Sequence, residues 1–276
     1  TVGLADSIMI SSVGEAAVSG VSLVDSIMIL LINMFSALAT GGAVVAGQYL
    51  GQKKHVMACK TADQLILFIS ALALVILAGI YAMRGFILHG VFGAIEPAVM
   101  HSAEVYLLIV TASIPFLAVY NGCAALFRTM GNSKTAMQMS LFMNAINIIG
   151  NAALIYGVGM GVEGAAIPTL VSRVIAAAVI LVLLKNRNQA VHISRNFHFK
   201  FKGFLVSRIL KIGVPNGVEN SMFQLGKILV LSLVAGFGTA SITANAVSNM
   251  VAMFEIIPGM AVGLAVLTVV SRCVGA

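Results

Sequence analysis

Apolar stretches long enough to cross a membrane as helices divide almost the whole chain, and they restrict its fold more than any other feature. They cover about residues 17–50, 62–86, 105–127, 136–156, 165–184, 214–237 and 242–270. A helix of roughly 20 apolar residues spans the hydrocarbon core of a bilayer. Only 9% of the residues are charged, whereas a soluble domain has about 25%. The sequence therefore predicts an all-α polytopic membrane protein.

A shorter apolar run precedes these stretches. It covers residues 2–13, carries Asp6 and ends at Gly14. It is too short to cross a bilayer, and the chain begins with Thr1 rather than Met. We therefore expect this run to be the second half of a first span. We also expect the chain to be a fragment of a longer protein that continues beyond its eighth span.

Basic residues are concentrated in alternate connections of the chain. They follow spans 2, 4, 6 and 8, as Lys53, Arg128 and Arg272 illustrate, and they are sparse in the other connections. Such an excess marks the cytoplasmic side of a membrane protein. Span 1 is therefore predicted to run from the cytoplasm outward across the plasma membrane. The net charge of +7 follows from this topology, and we expect no nucleic-acid partner.

Residues that would support catalysis or a resident metal do not form a recognisable pattern in the sequence. The three cysteines are scattered, and all five histidines lie in connections or at the ends of spans. The sequence contains no GxSxG, HExxH or phosphate-loop pattern. We therefore expect a protein that is not an enzyme, does not use ATP, and has no resident metal or organic cofactor.

The chain also contains an internal repeat. A shift of 224 residues superposes spans 1 and 2 on spans 7 and 8 without gaps, and it aligns Gly14 with Gly238 and Gly51 with Gly275. With six spans in each repeat, both halves would have the same orientation, as in several secondary transporters. We predict a six-helix lobe at 1–184, a basic cytoplasmic linker at 185–211, and the first two helices of an incomplete second lobe at 212–276.

Amide side chains line one face of span 5. Asn144, Asn147 and Asn151 have the spacing of one helix face, and Thr169 lies about two turns into span 6. Polar groups within a membrane either connect neighbouring helices by hydrogen bonds or form a functional site. The spacing alone leaves both interpretations open. Asp6 is the strongest single candidate, because an ionised carboxylate in the membrane requires a cation or a proton.

Six short motifs in order resemble those of the multidrug and toxic compound extrusion (MATE) transporters. They are GLADSIMISSVG at 3–14, AGQYLGQKK at 46–54, FRTMGNSK at 127–134, NIIGNAALIYG at 147–157, GVEGAAIPT at 161–169 and IGVPNGVENSMF at 212–223. The resemblance implies a MATE-like bundle of twelve helices in two lobes, truncated here. It also implies secondary active efflux of amphipathic or cationic organic compounds by a bacterial monomer, with alternating access driven by Na⁺ or H⁺.

The same resemblance implies a cation- or proton-binding site. Its residues would be Asp6, Asn147, Asn151 and Thr169. Many members of the family carry a second acid where this chain has Asn151. This departure leaves open the choice between Na⁺ and H⁺ as the coupling ion, and Asp6 would be the only acid available to hold Na⁺.

Further polar residues within the spans are candidates for a substrate cleft. They are Asn144, Tyr120, Asn121, Glu219 and Glu255. Asp25 and Arg173 are also intramembrane, and either a functional role or a structural pairing fits them. An alternative function is that of a flippase for a lipid-linked precursor, which would need a larger and more basic cavity. A passive scaffold is disfavoured, because it has no need of an intramembrane acid.

Overall fold

The structure, a computed structural model, describes residues 9–91, 96–186, 189–193, 202–235 and 239–276. In these ranges the chain forms helices that we number in order: α1 (Glu15–Gly51), α2 (His55–Ala82), α3 (Pro97–Ala112), α4 (Ile114–Thr129), α5 (Ser133–Ala152), α6 (Glu163–Leu184), α7 (Gly203–Ala235) and α8 (Thr239–Gly275). Two π-helical turns occur at Phe86–Val91 and Ala153–Gly157. The all-α prediction is confirmed.

Helix α1 is the central element of the bundle. Its 37 residues extend about 55 Å at 1.5 Å per residue, and it packs against α2, α3, α4, α7 and α8. Glycines let the other helices approach it closely. A Cβ added to Gly20 would lie 2.8 Å from the amide nitrogen of Ala103, and one on Gly41 would lie 2.7 Å from that of Gly213. Small residues commonly permit such contacts between membrane helices.

Span 4 was predicted as one helix over 105–127, but it is broken. Helices α3 and α4 meet at Ser113 with a bend of 46°. Pro115 lies in the first turn of α4, where it lacks an amide hydrogen and its ring would clash with the preceding turn of a continuous helix. Span 4 also begins earlier than predicted, at Pro97, because this proline suits the first turn of a helix.

The turn between α4 and α5 has well-defined caps. Gly131 has a φ of 82°, and the amides of Gly131 and Asn132 donate to the carbonyls of Arg128 and Phe127. These bonds form a Schellman motif. The side chain of Asn132 then accepts from the amide of Thr135 at 3.2 Å and caps the start of α5.

Five helical segments are long and apolar enough to cross a membrane: α1, α2, α5 with its π-helical extension (Ser133–Gly157), α6, and Glu255–Gly275 of α8. The bent pair α3–α4 forms a sixth if it is one span. Helix α7 carries Glu219 and Lys227 within its apolar sequence. It also begins at Gly203, whereas the predicted span began at 214 and the predicted linker extended to 211.

The repeat brings α1 and α8 together at their carboxyl ends. A Cβ on Gly51 would overlap with the carbonyl oxygen of Arg272, and a Cβ on Gly275 would overlap with that of Gln48. The predicted shift of 224 residues converts one contact into the other, because it relates Gly51 to Gly275 and Gln48 to Arg272. A Cβ on Gly47 would lie 3.0 Å from the Cβ of Ser271, which is its own equivalent in the repeat. The two helices are therefore related by a local twofold axis that passes beside Gly47.

Candidate functional site

The candidate site lies between α5 and α6, which a glycine–proline contact brings together. A Cβ on Gly150 would lie 2.7 Å from the Cβ of Pro168, so only glycine allows this approach. Pro168 lies inside α6 without ending the helix. The contact places the face of α5 that carries Asn147 opposite the turn of α6 that carries Thr169.

Asn147 and Thr169 form a buried hydrogen-bonded pair. Asn147 is 5% exposed and Thr169 is 8% exposed, and Asn147 Nδ2 donates to Thr169 Oγ1 at 3.0 Å. The Thr169 hydroxyl donates in turn to the carbonyl of Ala165 at 2.9 Å. The hydroxyl oxygen of Thr169 therefore accepts from Asn147 Nδ2, and Asn147 Oδ1 takes no part in this hydrogen bond. Among the described residues, Asn147 Oδ1 has no hydrogen-bond partner.

Asn151 follows one turn later on the same face of α5. Its side chain is fully buried, and the helix changes to π-helical geometry immediately afterwards, at Ala153–Gly157. Insertions of this kind occur frequently at functional sites. The spacing of the amides therefore correctly predicted a shared buried face for Asn147 and Asn151, while Asn144 on the same face is only half-buried.

The pair has the chemistry of an oxygen site. An unpaired buried carbonyl oxygen costs free energy unless a cation or a donor meets it, and the hydroxyl oxygen of Thr169 lies 3.0 Å from the nitrogen of the same amide. Within the described residues no cluster of three or more His, Cys, Asp or Glu side chains could hold a metal ion. Asp6, which was predicted to supply the negative charge, lies outside the described residues.

The predicted cleft residues are distributed over three other helices. Tyr120 is buried and Asn121 half-buried on α4, and Asn121 Nδ2 has no partner among the described residues. Glu219 on α7 and Glu255 on α8 are exposed, and these helices pack chiefly on α1. The structure therefore brings Asn147, Asn151 and Thr169 together. It does not place Glu219 or Glu255 in this group. The role of these cleft residues stays a prediction.

A second group of polar residues surrounds the break between α3 and α4, and few features of the sequence indicate it. Arg173 Nη1 donates to Ser113 Oγ at 2.7 Å, and Tyr106 donates to Asp25 Oδ1 at 3.2 Å. Arg173 lies one turn beyond Thr169 on α6. Of these residues, only Asp25 and Arg173 were candidates from the sequence. Pro115 was the available signal for Ser113, because a broken span requires polar groups near its free ends.

A helical bundle with several membrane spans, an internal repeat and a buried amide–hydroxyl pair is the architecture of a secondary transporter. The family model described as MatE matches residues 1–153, which is more than half of the chain. The chain belongs to the MatE family, the MATE transporters whose motifs it resembles. It is a multi-pass plasma-membrane protein of bacterial type, and its family consists of transporters rather than enzymes.

Curated relatives agree with this assignment. The uncharacterized transporter YisQ of Bacillus subtilis is 28% identical over 99% of this chain and 60% of its own length. The probable multidrug resistance protein NorM of Thermotoga maritima is 23% identical over 98% of this chain and 58% of its own. The chain thus spans about 60% of the length of the relatives it matches.

Solved structures show the same fold. A crystal structure of MATE in complex with MaD5 has a TM-score of 0.92 at 21% identity, and the match covers 99% of this chain and 62% of that one. An outward-facing multidrug resistance MATE family transporter has a TM-score of 0.84 at 21% identity, with 99% and 61% covered. The predicted MATE-like fold is confirmed.

Proposed function

We propose that this chain is part of a multidrug exporter that exchanges amphipathic or cationic organic compounds for Na⁺ or H⁺. The observation that carries the proposal is the buried Asn147–Thr169 pair, because Asn147 Oδ1 has no hydrogen-bond partner among the described residues and can accept from a protonated acid or bind a cation. Relatives described as multidrug resistance and multidrug export proteins support the same class of cargo.

The coupling site consists of Asp6, Asn147, Asn151 and Thr169. Asp6 supplies the charge, and the amide and hydroxyl oxygens on α5 and α6 supply neutral ligands or hydrogen-bond partners. With one formal negative charge, the site favours a cation or a proton over an empty state. Either ligand shifts the balance between two conformations only by binding one of them more tightly. No organic cofactor takes part, and the protein works as a monomer.

The decisive experiment is transport of a fluorescent cationic drug in everted vesicles that hold the full-length transporter containing this sequence. Na⁺ and pH gradients are imposed in turn. We expect uptake driven by one of them, which identifies the coupling ion, and we expect Asp6→Asn and Thr169→Val to abolish the gradient dependence. Asn220→Ala, on the exposed side of α7, is the matched control and should leave it unchanged.

Two outcomes would contradict the proposal. If uptake responds to neither gradient, the flippase alternative is favoured. Labelled lipid-linked precursors are then tested as substrates. If uptake responds to a gradient but Asp6→Asn and Thr169→Val behave like Asn220→Ala, exchange occurs but its coupling site lies elsewhere.

A further inference from the structure

An apolar groove lies between α2 and α7 on the outside of the bundle, and we call it the α2–α7 groove. It has a volume of about 920 Å³. Its walls include Leu72 and Val75 on α2 and Leu210 and Val214 on α7. Val75 is 68% exposed and Val214 is 50% exposed. Lipid tails are as apolar as these side chains, so an acyl chain can occupy the groove.

The groove exists because the first turns of α7 are fixed to the bundle by a different face of the helix. Leu205 and Ile209, one turn apart on α7, are buried and belong to the same core cluster as Ile69 of α2. Just before α7 begins, the amide of Lys202 donates to Gln64 Oε1 at 2.7 Å. Elsewhere α2 and α7 make few contacts, which leaves the space between them open.

The groove lies in the cytoplasmic half of the membrane. The predicted topology places the first residues of both α2 and α7 on the cytoplasmic side. In α2 an uncharged stretch, residues 65–82, follows Gln64, and the groove reaches along it to Val75. Along α7 the groove extends from Gly203 to Pro215, about 18 Å at 1.5 Å per residue. Half of the hydrocarbon core of a bilayer is about 15 Å, so the groove has the length of one leaflet.

A lysine, Lys211, is part of the wall of this apolar groove. It is exposed and lies eight residues, or about 12 Å, beyond Gly203 along α7. A lone charge at such a depth is costly. Side chains of a helix lean toward its N-terminus, which is the cytoplasmic end of α7, and a lysine stem can carry the ammonium in that direction to the headgroups. Lys211 is therefore placed to meet the phosphate of a lipid whose chain lies in the groove.

Positive charge predominates around the cytoplasmic end of the groove. In the described part of the chain, Lys211 forms no ion pair or hydrogen bond. Glu219, the next acid along α7, lies eight residues or about 12 Å further from the cytoplasm. Asp63 is at the cytoplasmic end of α2, where Lys60 and Lys202 are both exposed. Basic pockets between membrane helices on the cytoplasmic side favour anionic headgroups.

We propose that the α2–α7 groove binds an anionic phospholipid of the cytoplasmic leaflet, with an acyl chain along the groove and the phosphate on Lys211. The groove is separate from the Asn147–Thr169 pair, which lies between α5 and α6. Lipid binding needs no exchange of drug for a cation, so it can be tested independently of the proposed function. The competing occupant is protein, either the rest of the full-length transporter or a second copy of it.

Photo-cross-linking tests what occupies the groove. The full-length transporter is placed in nanodiscs that contain phosphatidylglycerol with a photoreactive acyl chain, and the adducts are located by mass spectrometry of its peptides. We expect adducts on residues 68–75 and 203–215. Ala71 lines the groove, so Ala71→Trp should reduce these adducts several-fold. Ala78→Trp, at an exposed position beyond the groove on α2, should not. Adducts on other segments but on neither of these two would show that protein covers the groove, and would overturn the proposal.

Native mass spectrometry tests the role of the charge. The detergent-purified full-length transporter is titrated with phosphatidylglycerol or with phosphatidylcholine, and the retained lipid is measured. We expect tighter binding of phosphatidylglycerol. Lys211→Gln should weaken its binding about fivefold, the factor that one basic residue near an anionic membrane contributes. Lys211→Arg keeps the charge and should retain the preference.

A second lysine of α7 provides the matched control. Lys227 lies beyond the groove, with its ammonium 4.8 Å from the centre of the Phe223 ring, and Lys227→Gln should leave lipid binding unchanged. Equal binding of phosphatidylglycerol by the Lys211→Gln and Lys227→Gln variants would overturn the proposal, even if gradient-driven exchange is demonstrated. Equal binding of the two lipids by the wild-type protein would overturn it as well.

Discussion

Gly51 and Gly275 pack reciprocally, each against the main chain of the other helix. The carbonyl that each glycine meets lies three residues before the other glycine. Gly51 meets the carbonyl of Arg272, and Gly275 meets that of Gln48. Each of these carbonyls also accepts the last amide of its own helix, from Ala276 and Gln52 respectively. The carbonyl acceptor, the amide donor and the contacting glycine of one helix each have an equivalent in the other helix. The repeat seen in the sequence is therefore also a symmetric packing surface.

Alanine at either glycine should destabilise this contact. A methyl group at Gly51 or Gly275 would overlap with main chain, which cannot rotate away, and overpacking of this kind costs about 1–3 kcal/mol. Gly79→Ala and Gly263→Ala are matched controls, because a Cβ at either position meets nothing within 4 Å. Alanine there should be neutral or stabilising by up to about 1 kcal/mol. Thermal unfolding of the detergent-purified protein measures the difference, and equal midpoints for all four variants would show that the contact is absent.

A second pair of glycines on α1 should respond differently to alanine. A Cβ on Gly20 would lie 2.9 Å from the carbonyl oxygen of Val99, whereas one on Gly42 would meet only the side chain of Leu65. Leucine can change rotamer, but a helix backbone must shift as a whole. We therefore expect Gly20→Ala to lower the unfolding midpoint more than Gly42→Ala. The reverse order in thermal unfolding would mean that α1 and α3 do not approach as closely as described.

Much of the fold could be predicted because the dominant pattern is simple. Apolar runs of span length with basic connections locate most helices within a few residues. The break at Ser113 was not predicted, since Pro115 is one of several prolines within spans and Pro168, Pro215 and Pro258 interrupt no helix. A proline marks where a break can occur, but the neighbouring helices decide whether it does.

The candidate site was partly predictable for the same reason. Periodicity placed Asn147 and Asn151 on one buried face, and it needed no knowledge of other helices. The link between Arg173 and Ser113 joins residues 60 positions apart, and no local pattern indicates such a pairing. The close approach of Gly150 to Pro168 is likewise visible only once α5 and α6 are packed together.

Thr169 should be required for any stabilisation by Na⁺. Thr169→Val removes the acceptor of Asn147 Nδ2 and one oxygen of the site, whereas Thr169→Ser keeps both. If Na⁺ is the coupling ion, ten times its Kd should stabilise the wild-type protein by about 1.4 kcal/mol, and choline should not. We expect this gain in the serine variant but not in the valine variant, as measured by thermal unfolding of the full-length transporter.

Equal gains in the serine and valine variants would place the Na⁺ site away from Thr169. If Na⁺ stabilises none of the three proteins, coupling to Na⁺ at this site is contradicted, and the same comparison is then made as a function of pH to test H⁺.

Arg173 should stabilise the broken span. Its guanidinium donates to Ser113, which is fully buried, at the point where α3 ends and α4 begins. Removal of a hydrogen bond to a charged group costs about 1.5–3 kcal/mol, so Arg173→Met should lower the unfolding midpoint clearly. Arg173→Lys keeps the charge and should lower it less. Arg84→Met, at an exposed position, is the control for the loss of an arginine. A midpoint for Arg173→Met equal to that of the control would exclude this role.

The segment after α6 should control access to Cys59. Val191 is fully buried, its amide donates to Met130 Sδ at 3.2 Å, and the next amide, of His192, donates to Cys59 Sγ at 3.5 Å. The segment thus covers the start of α2 through weak bonds to sulfur, which include a further contact of 3.7 Å between His192 Nδ1 and Cys59 Sγ. Val191→Asp would place a carboxylate in an apolar site and should release the segment, so that a maleimide labels Cys59 several-fold faster.

Three comparisons make this last experiment decisive. Ala190→Asp adds the same charge at an exposed neighbouring position and should leave the labelling of Cys59 unchanged. Cys123, which is fully buried on α4, should stay unlabelled in every folded variant, and mass spectrometry of the adducts reports both thiols at once. If Cys59 reacts at the same rate in Val191→Asp as in the wild-type protein, the segment does not cover it. If Cys123 also becomes reactive, the substitution has unfolded the lobe, and the milder Val191→Ala should then expose Cys59 alone.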